Sequence, residues 1–200
     1  MKVKNWIRKN PVVISRDTLL QEAAQLMKEY DIRHLPVVDD MQLVGFITES
    51  DLRQFSFPSM VEDIPVHQVM VTNPLTIDAG ASVEEAARII HDNKIGGLPV
   101  LDNGRLTGVI TASDLLAAFI EVLGLLKATT RLDLQIGDNG DIDTVSHIII
   151  EHGGEILNMA TDSNAVSSHK VYSFRLEQCE TDDMVRALEE AGHKVLSVME

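Results

Sequence analysis

Arg33-His34-Leu35-Pro36-Val37-Val38-Asp39, followed closely by Gly45-Phe46-Ile47-Thr48-Glu49-Ser50-Asp51, returns 63 positions later as Gly96-Gly97-Leu98-Pro99-Val100-Leu101-Asp102 and Gly108-Val109-Ile110-Thr111-Ala112-Ser113-Asp114. The echo extends outward in both directions. Shifted by 63 places, residues 3–54 align on 66–117 without a gap, and 19 of the 52 pairs are identical. Asn10-Pro11 falls on Asn73-Pro74, and Glu22-Ala23-Ala24 on Glu85-Ala86-Ala87. A structural unit has been duplicated.

Each copy predicts the order β-α-β-β-α. After the Asn-Pro turn comes a short extended stretch, Val12 to Ile14 or Leu75 to Ile77. Apolar residues then recur at helical spacing, Leu20, Ala23, Ala24 and Met27 in one copy and Val83, Ala86, Ala87 and Ile90 in the other. Ser82 with Glu85 has the pattern of a capping box. Two apolar strands follow, Leu35–Val38 and Leu43–Thr48, or Leu98–Leu101 and Leu106–Thr111. In the second copy Asp102-Asn103-Gly104 marks the hairpin between them. A helix beginning near Asp51 or Asp114 closes each unit.

These stretches resemble the cystathionine-β-synthase-type (CBS) domain, and the tandem resembles a CBS pair over residues 3–119, with repeat 1 at 3–55, a linker at 56–65 and repeat 2 at 66–119. The resemblance implies one disc that binds an adenine nucleotide (AMP, ADP, ATP or an NAD-like ligand) in clefts between the repeats. It assigns Asp51 and Asp114 to ribose hydroxyls, Thr48 and Thr111 to ribose or phosphate, and adds Ile14, Ile77 and Gly97 to the binding set. The chemistry is sound for that task. Glycine lets a backbone come close, a carboxylate accepts two bonds from a diol, and a helix N-terminus favours phosphate. The same Ser50/Asp51 and Ser113/Asp114 pairs also read as simple helix caps.

The copies differ before the proline, Arg33-His34 against Gly96-Gly97. Arg33 can fork onto a phosphate whereas Gly97 offers backbone and space, so the two sites are expected to be inequivalent, with phosphates drawn to Arg33 and His34. Arg33 reads equally as a solvated surface charge. Glu49 and Asp31 nearby favour mono- or diphosphates over triphosphates.

Beyond the repeats, a mostly apolar run over 115–128 predicts a helix, taken as a connector over 120–129. From Arg131 the pattern alternates, with Leu132, Leu134 and Ile136 on one face and Arg131, Asp133 and Gln135 on the other. Asp138-Asn139-Gly140-Asp141 turns the chain into a helix carrying Val145, Ile148 and Ile149 inward to Gly153-Gly154. Strands Glu155–Thr161 and Lys170–Glu177 flank a polar loop. A helix with Met184, Val185 and Leu188 stops at Gly192, and His193–Val198 is a last strand. This βαββαβ order is ferredoxin-like, and residues 130–200 resemble an ACT domain, carried by that order and by Gly140-Asp141-Ile142-Asp143-Thr144-Val145. The resemblance implies a module that dimerises or takes an amino acid or related metabolite. Asp138, Asp141 and Asp143 crowd the helix start and oppose an amino acid's carboxylate. The fold class is therefore α/β (α+β), a CBS pair followed by an ACT-like domain.

Composition sets limits. Seventeen Lys+Arg against 31 Asp+Glu leave a net charge of −14, with the 81 residues from 120 onward the more acidic part. Neither a nucleic acid nor an anionic membrane is an expected partner, since both need clustered cations. Cys179 is the sole cysteine, which excludes an internal disulfide and a cysteine-based zinc site and suits a reducing compartment. The basic start lacks an apolar core region, so it does not read as a secretory signal, and a cytoplasmic location is expected. Twelve residues from Asp138 or Asp141 there is no Glu, so no EF-hand is expected, and the seven histidines show no metal-binding spacing. Nucleotide-triphosphatase, hydrolase, dinucleotide and CxxC motifs are missing. No metal and no obligatory cofactor are expected.

The expectation is a non-catalytic sensor with an adenine nucleotide as regulatory ligand, forming a homodimer and acting on an unidentified protein target. Ligand-driven change would pass along the Leu115–Leu126 helix. The CBS-pair-plus-ACT-like order resembles the acetoin-utilization family, implying a link to acetoin or acetyl-CoA metabolism. The alternative is an interaction scaffold whose nucleotide sites are vestigial.

Overall fold

The structure is a computed structural model that describes residues 1–53, 55, 64–124, 129–137, 140–162 and 170–199. The chain divides into two compact units, Met1–Ala118 and Phe119–Glu200.

In the first unit the elements run β1 (Arg8–Lys9), β2 (Ile14–Ser15), α1 (Leu20–Glu29), β3 (His34–Asp39), β4 (Gln42–Thr48) and α2 (Glu49–Arg53), then β5 (Val71–Thr72), β6 (Ile77–Asp78), α3 (Val83–Asn93), β7 (Gly97–Asp102), β8 (Arg105–Thr111) and the first residues of α4 (Ala112–Val122). The short strands β1 and β5 were absent from the sequence reading, and they decide how the repeats join. β1 opens repeat 1 yet pairs with β8 of repeat 2, Arg8 opposite Val109. Reciprocally, β5 opens repeat 2 and pairs with β4 of repeat 1, Val71 opposite Phe46. The two four-stranded sheets are thus β2-β3-β4-β5 and β1-β8-β7-β6, each borrowing an edge from the other repeat. The preceding turns repeat the exchange. Val3 donates its N–H to the Ala81 carbonyl at 2.9 Å, and Val66 donates to Thr18 at 2.8 Å. Of the linker assigned to 56–65, residues 56–63 lie outside the described residues. Ile64 accepts the Leu20 N–H at 2.9 Å.

Burial explains why the apolar pattern folds this way. Leu20, Ala23 and Met27 pack on Leu35, Val37 and Ile47, and Val66 closes that core from the other repeat. Ala24 departs from the expected stripe. It is exposed and lines a groove between α1 and α2, because it stands at the stripe's edge. The Ser82 hydroxyl caps α3, accepting the Glu85 N–H at 3.0 Å. The β7–β8 hairpin turns through Asn103 (φ 50°) and Gly104 (φ 78°), the left-handed pair that matches strand twist. Asp40 (φ 46°) and Met41 (φ 65°) adopt the same turn without a glycine.

The second unit runs β9 (Thr129–Gln135), α5 (Ile142–Glu151), β10 (Ile156–Asp162), β11 (Val171–Glu177), α6 (Asp182–Glu190) and β12 (Lys194–Met199). Its sheet is antiparallel in the order β10-β11-β9-β12. Leu132, Leu134, Phe174 and Leu176 of the sheet meet Val145, Ile149, Met184 and Leu188 of the helices in one core. On the opposite face Asp133 is only 8% exposed rather than solvated. Ser173 and Ser197 hydroxyls donate to it at 2.5 and 2.9 Å, and Arg131 Nε at 2.9 Å. The helix expected over 115–128 stops at Val122, and Gly124 turns with φ 65°. Residues 125–128, Asp138-Asn139 of the first turn, and residues 163–169 of the polar loop lie outside the described residues.

Candidate functional site

The repeated Thr-x-x-Asp forms the same device twice. Thr48 ends β4 and caps α2. Its hydroxyl accepts the Asp51 N–H at 3.3 Å, while Asp51 Oδ2 takes the Thr48 N–H at 2.8 Å and its hydroxyl at 2.7 Å. Thr111 and Asp114 reproduce the set at 3.3, 2.8 and 2.7 Å at the start of α4. The helices therefore begin at Glu49 and Ala112, two residues before the expected Asp51 and Asp114. The cap is the threonine, with the aspartate at the third helical position, rather than Ser50/Asp51 or Ser113/Asp114. Both threonine bonds fall on Oδ2 of each aspartate, so neither uses Oδ1.

Each aspartate opens onto a cleft built from both repeats. The first cleft, of about 580 Å³, joins Thr48, Ser50 and Asp51 to Val71, Pro74, Leu75, Lys94 and Gly97. The second, of about 260 Å³, joins Thr111, Ser113 and Asp114 to Arg8, Lys9, Pro11, Val12 and Tyr30. Arg33, His34, Thr111 and Ser113 line both. Ile14 and Ile77 are placed differently from the rest of the expected set. Each is a core residue 5% exposed, and neither lines either cleft. The sequence reading missed Tyr30, Lys94, Arg8, Lys9 and the residues after each Asn-Pro. The repeated Asn10-Pro11 and Asn73-Pro74 held the signal for the last of these, read there only as turns.

His34 stacks on Phe46 with ring centroids 5.7 Å apart and planes 22° apart. Burial, and then Arg33, lower its proton affinity, while Asp114 and Asp51 pull the other way. Arg53 at the first cleft pairs with Glu49 at 3.3 Å. In the second unit a hollow of about 380 Å³ at the start of α5 is lined by Gly137, Gly140, Asp141, Lys170 and Tyr172, where Asp141 caps the helix by accepting the Thr144 N–H at 2.7 Å. Among the described residues no three His, Cys, Asp or Glu side chains are grouped to hold a metal. No helix among them is long and apolar enough to cross a membrane.

Duplicated sheets with exchanged edges and paired clefts define a tandem-repeat class of protein. The CBS-domain family profile matches residues 3–57 and 61–121, so the chain belongs to the CBS-domain family. A CBS domain-containing protein of Dictyostelium discoideum is 41% identical over 134 residues, which is 60% of this chain and 92% of that protein. Inosine-5'-monophosphate dehydrogenase of Staphylococcus haemolyticus is 29% identical across 98% of this chain, which spans only 43% of that enzyme. Among solved structures, CBSX2 in complex with AMP matches with a TM-score of 0.56 and 28% identity, over 61% of this chain and 98% of that one. The CBS pair of protein MJ0100 with 5′-methylthioadenosine and S-adenosyl-L-methionine matches at 0.55 and 28%, over 60% and 95%. The Vibrio cholerae protein AcuB, named for acetoin utilization, matches at 0.56 and 33%, over 62% and 94%.

Proposed function

We propose that this chain is a non-catalytic regulatory protein whose CBS pair senses an adenine-containing ligand. The observation that carries the reading is the duplicated Thr–Asp cap, each presenting a carboxylate to a cleft of ligand size. Asp51 and Asp114 take the ribose diol. The adenine ring lies on Pro74 and Leu75 in one cleft and on Pro11, Val12 and Tyr30 in the other. Phosphates turn to Arg33 and His34. AMP, 5′-methylthioadenosine and S-adenosyl-L-methionine in related pairs support this ligand class.

The second unit is read as ACT-like, supported by its β-α-β-β-α-β order with β11 inserted between β9 and β10. It serves dimerisation or binding of a second metabolite. We place the protein in the cytoplasm as a homodimer and link it to acetoin or acetyl-CoA metabolism on its likeness to AcuB. The downstream protein target is unassigned.

Thermal unfolding with AMP, ADP, ATP, NAD and S-adenosylmethionine tests the sensor reading. A ligand at 100 times its Kd stabilises the fold by about 2.7 kcal/mol, and Asp51→Asn or Asp114→Asn should shrink that shift. Absence of any shift with these ligands favours the competing scaffold with vestigial sites.

A further inference from the structure

The basic part of the wall shared by the two clefts comes from one repeat, and Thr111 and Ser113 of the other complete it. Arg33 and His34 line both clefts, while the residues 63 places later are Gly96 and Gly97. Geometry explains the difference. A Cβ at Gly96 would stand 2.7 Å from His34 Nε2, and one at Gly97 would stand 3.4 Å from the same atom and 3.0 Å from the Ile110 carbonyl oxygen. The space between the repeats holds a single imidazole, pinned against Phe46. That ring feels the carboxylates of both Asp51 and Asp114, one from each cleft.

Building on the nucleotide reading above, we infer that the two clefts are not independent: the single Arg33–His34 pair serves whichever is first occupied by a phosphate-bearing ligand, so a second such ligand binds more weakly. Two phosphates drawn to one cationic corner repel each other, and only one can take Arg33's forked donors. The partner cleft then favours an adenine ligand that carries no phosphate. His34 and Arg33 act here as residues that couple sites, in addition to contacting a ligand.

AMP titrated calorimetrically into the full chain tests this. Asp51→Asn and Asp114→Asn each keep an oxygen for the threonine cap while weakening one cleft, so each reports the affinity of the other cleft alone. In the wild type the product of the two stepwise association constants should fall below the product of those isolated affinities by about 5- to 150-fold, the usual span of site coupling. His34→Ala should bring the two products together, and Arg33→Gln, at an exposed position, should do so in part without touching the half-buried ring. Equal products in the wild type overturn the coupling and leave nucleotide binding intact. No AMP binding by any variant or by the wild type overturns both.

Discussion

Asp51 holds Thr48 by two atoms at once, its Oδ2 accepting the threonine's N–H at 2.8 Å and its hydroxyl at 2.7 Å. The aspartate that faces the cleft is thereby also a structural residue of α2. Asp51→Ala should cost about 1 kcal/mol, the usual worth of a helix cap, and lower Tm by about 2–4 °C. Asp51→Asn should recover most of that stability but not ligand binding. Differential scanning calorimetry beside AMP binding separates the two roles.

The His34–Gly96 approach predicts a non-additive pair. Gly96→Ala should destabilise the fold, since its Cβ would meet His34 Nε2 at 2.7 Å. In a His34→Ala background the same change should cost little. A coupling of about 0.5–3 kcal/mol in a urea-unfolding cycle is the expected result, and additive effects would place the imidazole elsewhere.

Gly45 and Gly108 occupy matching positions but different surroundings. A Cβ at Gly45 would meet the flexible Met70 side chain, whereas one at Gly108 would stand 2.7 Å from the Arg8 carbonyl oxygen, fixed in the β1–β8 pairing. Gly108→Ala should therefore destabilise the first unit more than Gly45→Ala. Equilibrium unfolding of the two variants gives the comparison directly.

Protonation of His34 carries a definite sign. Burial and Arg33 hold its pKa below 6.5, so between that lowered value and 6.5 the unfolded chain binds the extra proton. Stability without ligand should fall as pH drops through this window. A bound phosphate favours the imidazolium, so the wild type should lose less AMP affinity than His34→Ala over the same drop, in which the phosphate itself takes up a proton. His34→Ala should flatten the stability dependence, read by calorimetry at a series of pH values from about 5.5 to 8.

Met41 offers a stabilising change. It holds φ 65° in a two-residue turn while 83% exposed, where repeat 2 has Gly104. A left-handed conformation costs an L-residue about 1–2 kcal/mol, partly offset by glycine's greater entropy when unfolded. Met41→Gly should raise stability by about 0.5–1 kcal/mol, measured by urea unfolding.

That turn also marks where local signals end. Asn103-Gly104 announced its hairpin in the sequence, whereas Asp40-Met41 did not, and only the pairing of β3 with β4 forces the same backbone there. Asp133 makes a similar case. Alternation placed it on the outer face of β9, correctly, but its burial depends on Ser173 and Ser197 arriving from β11 and β12.

The order of elements and the identity of the Thr–Asp pairs were decided by the sequence, because helix period, strand run and capping geometry act within a few residues of one another. The 63-residue repetition then made the architecture legible without a structure. The exchange of β1 and β5, the composite clefts and the sharing of Arg33 and His34 were decided only in three dimensions. Two-residue strands carry no periodicity of their own, and they exist because an open sheet edge of the other repeat satisfies their backbone groups. The same exchange joins each aspartate to walls from the opposite repeat and brings the halves close enough that one imidazole fills the room between them.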